Sequence, residues 1–202
     1  VVDTSLVRRA GLKYNPKADV ILYKKATNKL STENIFISLK KPGGAEGFLQ
    51  YGGLSRSGAG ADIYNHPETQ MFLQQVTENL DNNLNLNTTL FKKVKSDYLK
   101  NMAIFGPDYP SKYGLQHVNM IGQGDCSLEK THKENTYKLS FGEKSSLSGS
   151  GMYFEFGYNP VFGATYSEKE GFDYRDVRYK GIRVGIYPLA FFASRTNIEE
   201  LK

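Results

Sequence analysis

The sequence has little of what disulfide-stabilised or membrane proteins depend on. It contains one cysteine, Cys126, so no disulfide can form within the chain, and a reducing cytoplasm fits best. No apolar run approaches the roughly 20 residues of a membrane-spanning helix, so we expect no membrane partner. Tryptophan is absent, whereas 14 tyrosines, 12 phenylalanines and 20 glycines are present. This composition favours strands and turns.

Charge and length place few limits on the function. The 202 residues carry 26 Lys+Arg against 21 Asp+Glu, a net charge of +5, which is the mildly basic balance expected of a protein that meets phosphate groups. The length suits one medium domain. We predict one unit over residues 1–202, with an α/β core at 1–105 and a β-rich part at 106–202.

Two strands are predicted near the start of the chain. Residues 18–23 (ADVILY) and 34–40 (NIFISLK) have strand composition and are separated by a polar loop. In the second strand Phe36, Ser38 and Lys40 share one face, because side chains alternate along a strand. Asp19 lies at the opening of the first strand.

The remaining elements follow from periodicity and turn residues. Helices are predicted at 2–10, 67–79 and 89–102, with His66 or Asn65 as a cap of the second one, whose apolar stripe is Met71, Phe72, Gln75, Val76 and Leu80. Strands are predicted at 118–121, 126–130, 136–141, 151–157, 160–166 and 181–187, with SSLSGSG at 145–151 as a separator. The predicted fold is therefore α/β: a mixed β-sheet flanked by helices, with a β-rich C-terminal half.

The polar residues on the two early strands suit phosphodiester hydrolysis. That reaction needs a divalent metal held by carboxylates and a cation near the attacking water. An economical arrangement takes an acid from one strand and two polar residues, at i and i+2, from the next. Asp19, Ser38 and Lys40 have this spacing.

The segments NPKADVIL and IFISLKK, followed by GGAEGFLQYGGLS, resemble the PD-(D/E)XK (restriction-endonuclease-like) nuclease superfamily, in particular phage-encoded proteins with a SLKK core. The resemblance covers residues 13–55, and YKGIRVGIYP at 179–188 is similar to the closing strand of those proteins. It implies a Mg²⁺-dependent (or Mn²⁺-dependent) endodeoxyribonuclease acting on DNA. It further implies that Asp19 binds metal, that Lys40 is the catalytic lysine, and that Ser38 and Gln50 support the site by hydrogen bonds.

One position departs from the family pattern. Ser38 stands where the family has Glu or Asp, and a hydroxyl is a poorer Mg²⁺ ligand than a carboxylate. Another acid would have to supply the second charge. The metal-ligand candidates besides Asp19 are Glu46 and Glu68, with Asp62 and the upstream Asp3 as further options.

Basic residues near glycines and aromatics are candidates for DNA contact. Arg56 lies in the Gly-rich segment 43–60, whose backbone amides could approach phosphates, and Lys41 follows the second strand. The densest basic stretch is interleaved with Tyr174 and Tyr179 and consists of Arg175, Arg178, Lys180 and Arg183. A solvated strand edge guarded by cations is the competing interpretation.

Other chemistries fit less well. His66, His117, His132 and Cys126 are spaced too irregularly for zinc, and nothing in the sequence positions a base beside Cys126. The glycine clusters lack the Lys-Ser/Thr of a P-loop.

Three functional hypotheses therefore stay open: the nuclease, a non-catalytic DNA-binding or structural phage protein on the same fold, and a β-rich interaction module. Because many such nucleases cut both strands as dimers, the resemblance is compatible with a homodimer. A phage-encoded protein would act in the host cytoplasm.

Overall fold

A computed structural model describes residues 18–22, 35–41, 50–82, 87–106, 118, 120–124, 126–141, 146–149, 159–193 and 195–202. The strands are β1 Val20–Leu22, β2 Ile35–Lys40, β3 Gly52–Gly53, β4 Thr89–Lys93, β5 Met120–Gln123, β6 Cys126–Lys130, β7 Tyr137–Phe141, β8 Ser146–Gly149, β9 Pro160–Tyr174, β10 Val177–Pro188 and β11 Ile198–Glu200. The α-helices are α1 Ala61–Asn65, α2 Pro67–Asp81 and α3 Asp97–Phe105, and 3₁₀ turns cover Gly58–Gly60 and Leu189–Phe192. Mixed sheets with helices and a strand-rich second half confirm the predicted fold class.

The first sheet has the strand order β1-β2-β5-β8. Strand β1 is antiparallel to β2, which is parallel to β5. Strand β2 has a neighbour at each edge, and Phe36, Ile37 and Ser38 are all buried, so both faces of the strand are covered at its centre. The two predicted early strands are confirmed at 20–22 and 35–40.

The second sheet has the order β11-β4-β9-β10-β3. Its main feature is the long hairpin of β9 and β10, which turns at Arg175, a residue with a positive φ of 49°. The register shifts between Lys180 and Ile182, and Gly181 there has a φ of 81°, a conformation that glycine adopts without strain. Strands β6 and β7 form a separate two-stranded ribbon.

Helix α2 packs its apolar face on the second sheet. Pro67 opens the helix and the His66 side chain caps it by accepting from the Glu68 N–H. Phe72 stacks on Phe162 of β9 with ring centroids 5.0 Å apart. The predicted helix is confirmed, but its stripe is rotated: Met71 is 58% exposed. The buried face is instead centred on residues with helical spacing, namely Thr69, Phe72, Leu73, Val76 and Thr77.

The predicted helix at 89–102 is wrong in its first half. Residues 89–93 form β4, which pairs with β9 and β11, and helix α3 begins only after Ser96. The Ser96 hydroxyl caps α3 by accepting from the Leu99 N–H at 3.2 Å. Ladder hydrogen bonds with two distant strands outweigh the local helical pattern before this cap. In consequence Lys92 is only 7% exposed.

The strands of the second half follow their predictions with one exception. The strand at 126–130 is confirmed as predicted, and those at 137–141, 120–123, 160–174 and 177–188 overlap their predicted ranges. The SSLSGSG stretch is not a separator, because residues 146–149 form β8 by pairing with β5. Backbone pairing with a neighbour decides the state there, despite low strand propensity. The predicted helix at 2–10 and strand at 151–157 lie outside the described residues.

One buried cluster draws on both sheets and on all three helices, including Phe36, Leu73, Leu99, Ile121 and Val184. A smaller cluster of Phe91, Val161, Tyr187 and Phe192 packs beneath the Leu189–Phe192 turn. Within the described ranges, no helix is long and apolar enough to cross a membrane. The division into parts at residue 105 stays a prediction.

Candidate active site

Asp19, which directly precedes β1, lies beside Ser38 of β2. The backbone N–H of Asp19 donates to the Ile37 carbonyl at 2.8 Å, which continues the antiparallel ladder by one residue. The Asp19 Oδ2 atom then accepts two hydrogen bonds, from the Leu39 N–H at 2.7 Å and from the Ser38 Oγ at 3.3 Å. Two donors therefore hold the carboxylate over β2, as the spacing of the two strands led us to expect.

Lys40 completes this group from the same strand. Partial burial lowers the pKa of the Lys40 amine from its usual 10.5, and the negative charge of Asp19 acts in the opposite direction. The two charges are thus near enough to interact. A desolvated ammonium close to a carboxylate is suited to orienting a polar molecule and to stabilising developing negative charge.

Gln50 lies against the second sheet. The next residue, Tyr51, donates its N–H to the Ile186 carbonyl at 2.7 Å. The Gln50 Oε1 atom is buried and accepts no hydrogen bond from the described part of the chain. A Cβ at position 185 would lie 3.0 Å from this oxygen, so Gly185 makes room for it. Gln50 precedes β3 and lies outside the helices, and no described contact joins it to Asp19.

The structure gives Glu68 a different partner from the one predicted. Its two carboxylate oxygens accept from the backbone N–H groups of Lys95 (2.5 Å) and Ser96 (3.0 Å). The carboxylate therefore ties the start of α2 to the loop that leads into α3. Asp62 is exposed on α1.

Metal ligands are few in the part of the chain that the structure describes. No group of three or more His, Cys, Asp or Glu side chains there could hold a metal ion. Glu46 and Asp3 lie outside the described residues. The described hydrogen bonds of the Asp19 carboxylate use its Oδ2 atom. Its Oδ1 atom could therefore serve as one of the oxygen ligands that Mg²⁺ prefers.

Of the six predicted DNA-contact residues, two share a cavity and four lie elsewhere. Arg56 and Arg178 line one small cavity, together with Leu54, Ser55, Tyr64, Gly171, Phe172 and Asp173. Arg175 is at the tip of the β9–β10 hairpin, with its guanidinium 5.2 Å from the centre of the Tyr174 ring. Lys180 is exposed on β10, and Arg183 pairs with Glu170 at 3.3 Å. Lys41 is exposed at the end of β2.

The cavity contains two residues that sequence reasoning missed. The Tyr64 hydroxyl accepts from Arg56 Nε at 3.0 Å and donates to the Asp173 carbonyl at 2.8 Å. The hydrogen bond from Arg56 raises the pKa of that guanidinium further. The Asp173 carboxylate accepts from Arg178 at 3.1 Å. No local signal could have joined Tyr64 to Asp173, because 109 positions separate them.

Comparison with known proteins gives one informative likeness. No family model and no solved structure matches the chain. The chain is 30% identical over 192 residues to the Type II restriction enzyme CviJI of Paramecium bursaria Chlorella virus IL3A, an alignment that covers 91% of this chain and 51% of that enzyme. The chain therefore spans about half the length of the relative it matches. This likeness supports the resemblance to restriction-endonuclease-like nucleases and leaves the PD-(D/E)XK motif itself untested.

Proposed function

We propose that this chain carries the catalytic centre of a metal-dependent endodeoxyribonuclease that hydrolyses DNA phosphodiester bonds. The observation that carries the proposal is the Asp19 carboxylate, fixed by the Leu39 N–H and the Ser38 hydroxyl and near the Lys40 amine. The similarity to a Type II restriction enzyme supports the same reaction class.

Each residue of the group has a role in this proposal. Asp19 offers a carboxylate oxygen to Mg²⁺ or Mn²⁺, which when bound would polarise the phosphate and lower the pKa of a water. Lys40 orients the attacking water and stabilises the charge that develops on the phosphate oxygens. Ser38 holds Asp19 in place through its hydroxyl. Gln50 remains a proposed hydrogen-bond acceptor, supported by its unpaired buried Oε1 atom.

The second metal carboxylate is the open part of the site. Glu46 and Glu68 stay proposed ligands, but Glu68 would have to give up two backbone N–H donors to reach a metal. Charge-assisted bonds of this kind contribute roughly 1.5–3 kcal/mol each, so this exchange is costly. Glu46 is therefore the candidate that we favour.

A plasmid-cleavage assay in Mg²⁺ tests the proposal. We expect Asp19→Asn and Lys40→Met to lose cleavage by a factor of at least about 100, the scale on which removal of one electrostatic group acts in hydrolases. Lys93→Met is the matched control, since Lys93 is an exposed lysine on β4 that pairs with Glu200. Full cleavage by Asp19→Asn or by Lys40→Met, with the fold intact by circular dichroism, would exclude the assignment.

A non-catalytic DNA-binding protein is the second candidate. The serine at position 38 and the lack of a three-acid cluster in the described ranges favour it. Stabilisation by Mn²⁺ separates the two functions. A nuclease should show a rise in Tm with Mn²⁺ that disappears in Asp19→Asn, whereas a binding protein should bind DNA with no metal response.

A further inference from the structure

A cavity between the β9–β10 hairpin and the Leu54–Tyr64 segment is lined by residues of unequal charge. It has a volume of about 180 Å³, several times the roughly 30 Å³ that one water occupies in the liquid. Two arginines face it and one carboxylate, that of Asp173, lies beside them. The charged groups of the lining therefore sum to a net positive charge.

Both guanidinium groups are held in place with donors to spare. Arg56 uses its Nε atom on the Tyr64 hydroxyl, and its guanidinium carbon lies 5.8 Å from the centre of the Tyr64 ring. Arg178 uses one NH1 bond on Asp173. An arginine has five N–H donors, so each residue keeps several that the described hydrogen bonds leave unused. Preorganised forks of this type suit the oxygens of a phosphate group.

Two small residues complete the lining. The Ser55 hydroxyl oxygen accepts from the Ser57 N–H at 3.4 Å, which leaves its own hydrogen available as a donor. A Cβ at position 171 would lie 2.5 Å from the Tyr179 carbonyl and 3.1 Å from Arg178 Nε. Gly171 therefore allows the Arg178 side chain to lie along the strand and face the cavity.

We propose that this cavity binds one phosphate group of the DNA backbone, clamped jointly by Arg56 and Arg178. The inference rests on the proposed function, because DNA is its ligand. A phosphate contact at this place would set the position of the duplex on the protein without reading its sequence. Arg175, at the tip of the same hairpin, lies outside the clamp.

The test is the salt dependence of binding to a short fluorescein-labelled duplex, measured by anisotropy in EDTA so that no cleavage occurs. Each phosphate neutralised contributes about 0.9 to the slope of log K against log salt. If the two arginines share one phosphate, Arg56→Ala/Arg178→Ala should reduce the slope by about 0.9. Over the tenfold change from about 1 M to about 0.1 M salt, the double variant should then gain roughly eightfold less affinity than the parent protein. The affinity losses of the two single variants should then sum to clearly more than the loss of the double variant.

Arg195→Ala is the matched control. Arg195 is an exposed arginine that also lies over an aromatic ring, that of Phe191, at 4.7 Å and bonds to a hydroxyl, that of Thr89. Arg195→Ala removes one positive charge from outside the cavity, as each single variant removes one from inside it, and should leave the slope unchanged. Arg56→Gln/Arg178→Gln provides a second pair should the alanine pair fail to fold.

Three results would contradict the clamp, and they differ in what else they contradict. An unchanged slope in the double variant, with tight binding by the parent protein, would overturn the clamp alone. A slope reduction of about 1.8 with additive single effects would show two separate phosphates, and would also overturn it. No salt-dependent DNA binding by the parent protein would overturn the clamp and the proposed function together.

Discussion

Replacing Ser38 with aspartate tests whether a metal ion can bind between the side chains of residues 19 and 38. Ser38 is 3% exposed and its Oγ lies 3.3 Å from Asp19 Oδ2. In Ser38→Asp two carboxylates would therefore face each other at about 4 Å. This substitution would also place an acid where the PD-(D/E)XK pattern, which the sequence resembles, has one.

The expected penalty follows from this distance. Two like charges about 4 Å apart repel by about 4 kcal/mol at an effective dielectric constant near 20. Asp19 is exposed, so solvent screens part of this, and we expect a net loss of about 2–3 kcal/mol without metal. For a protein of this size each kcal/mol lowers Tm by roughly 2–4 °C. The predicted fall in Tm is therefore about 5–10 °C.

The assay is thermal unfolding in EDTA and in Mn²⁺, with Ser38→Asn as the control. Asparagine has the volume of aspartate without its charge, and its amide can donate to Asp19 as the serine hydroxyl does, so the difference between the two variants measures the repulsion together with that hydrogen bond. Mn²⁺ at about 100 times its Kd should return about 2.7 kcal/mol to Ser38→Asp. In folded Ser38→Asp the two neighbouring carboxylates would bind a proton more tightly than in the unfolded chain. The loss of stability in this variant should therefore disappear below about pH 4, where both carboxylates are protonated in either state, and grow as pH rises.

The opposite outcome would refute the geometric reasoning. If Ser38→Asp and Ser38→Asn unfold at the same temperature in EDTA, the side chains of residues 19 and 38 are not close enough for their charges to repel. If Ser38→Asp is destabilised but Mn²⁺ restores none of the loss, the space exists but does not hold a cation. Either result would exclude the hypothesis that the side chains of residues 19 and 38 can bind a metal ion together.

Three further predictions concern the scaffold and the lysine. Glu68→Gln should lose about 1–3 kcal/mol in urea unfolding, because its carboxylate accepts two backbone N–H groups. With Glu46 as the favoured second ligand, this variant should leave the Mn²⁺ response unchanged. Gly163→Ala should lose about 1–3 kcal/mol, because its Cβ would lie 2.5 Å from a ring carbon, whereas Gly52→Ala, with nothing within 4 Å, should not lose this amount. The pKa of Lys40, followed by NMR, should fall further in Asp19→Asn, because the Asp19 charge that raises this pKa is lost. Folded Lys40 binds its proton more weakly than unfolded Lys40, so the free energy of unfolding should rise with pH between the lowered pKa and 10.5. Lys40→Met should flatten that rise.

Local patterns were sufficient for the parts of the molecule whose signals lie within a few residues of one another. The alternation in 34–40 predicts β2, and Pro67 with the His66 cap predicts the start of α2. The early strands also predict that Asp19 meets Ser38, because Asp19 opens one strand and Ser38 lies on the next. These features depend on alternation and capping, which act between residues close together in the sequence.

Only the tertiary structure decided the features that depend on distant partners. Residues 89–93 are a strand because β9 and β11 supply ladder hydrogen bonds, and Glu68 caps a loop 27 positions away. Tyr64 and Arg56 share one cavity with Arg178 because the hairpin that carries Arg178, more than 100 residues downstream of Arg56, folds against them. The residue types were visible in the sequence. Their pairing depends on burial and on backbone hydrogen bonds between segments that come together only when the chain folds.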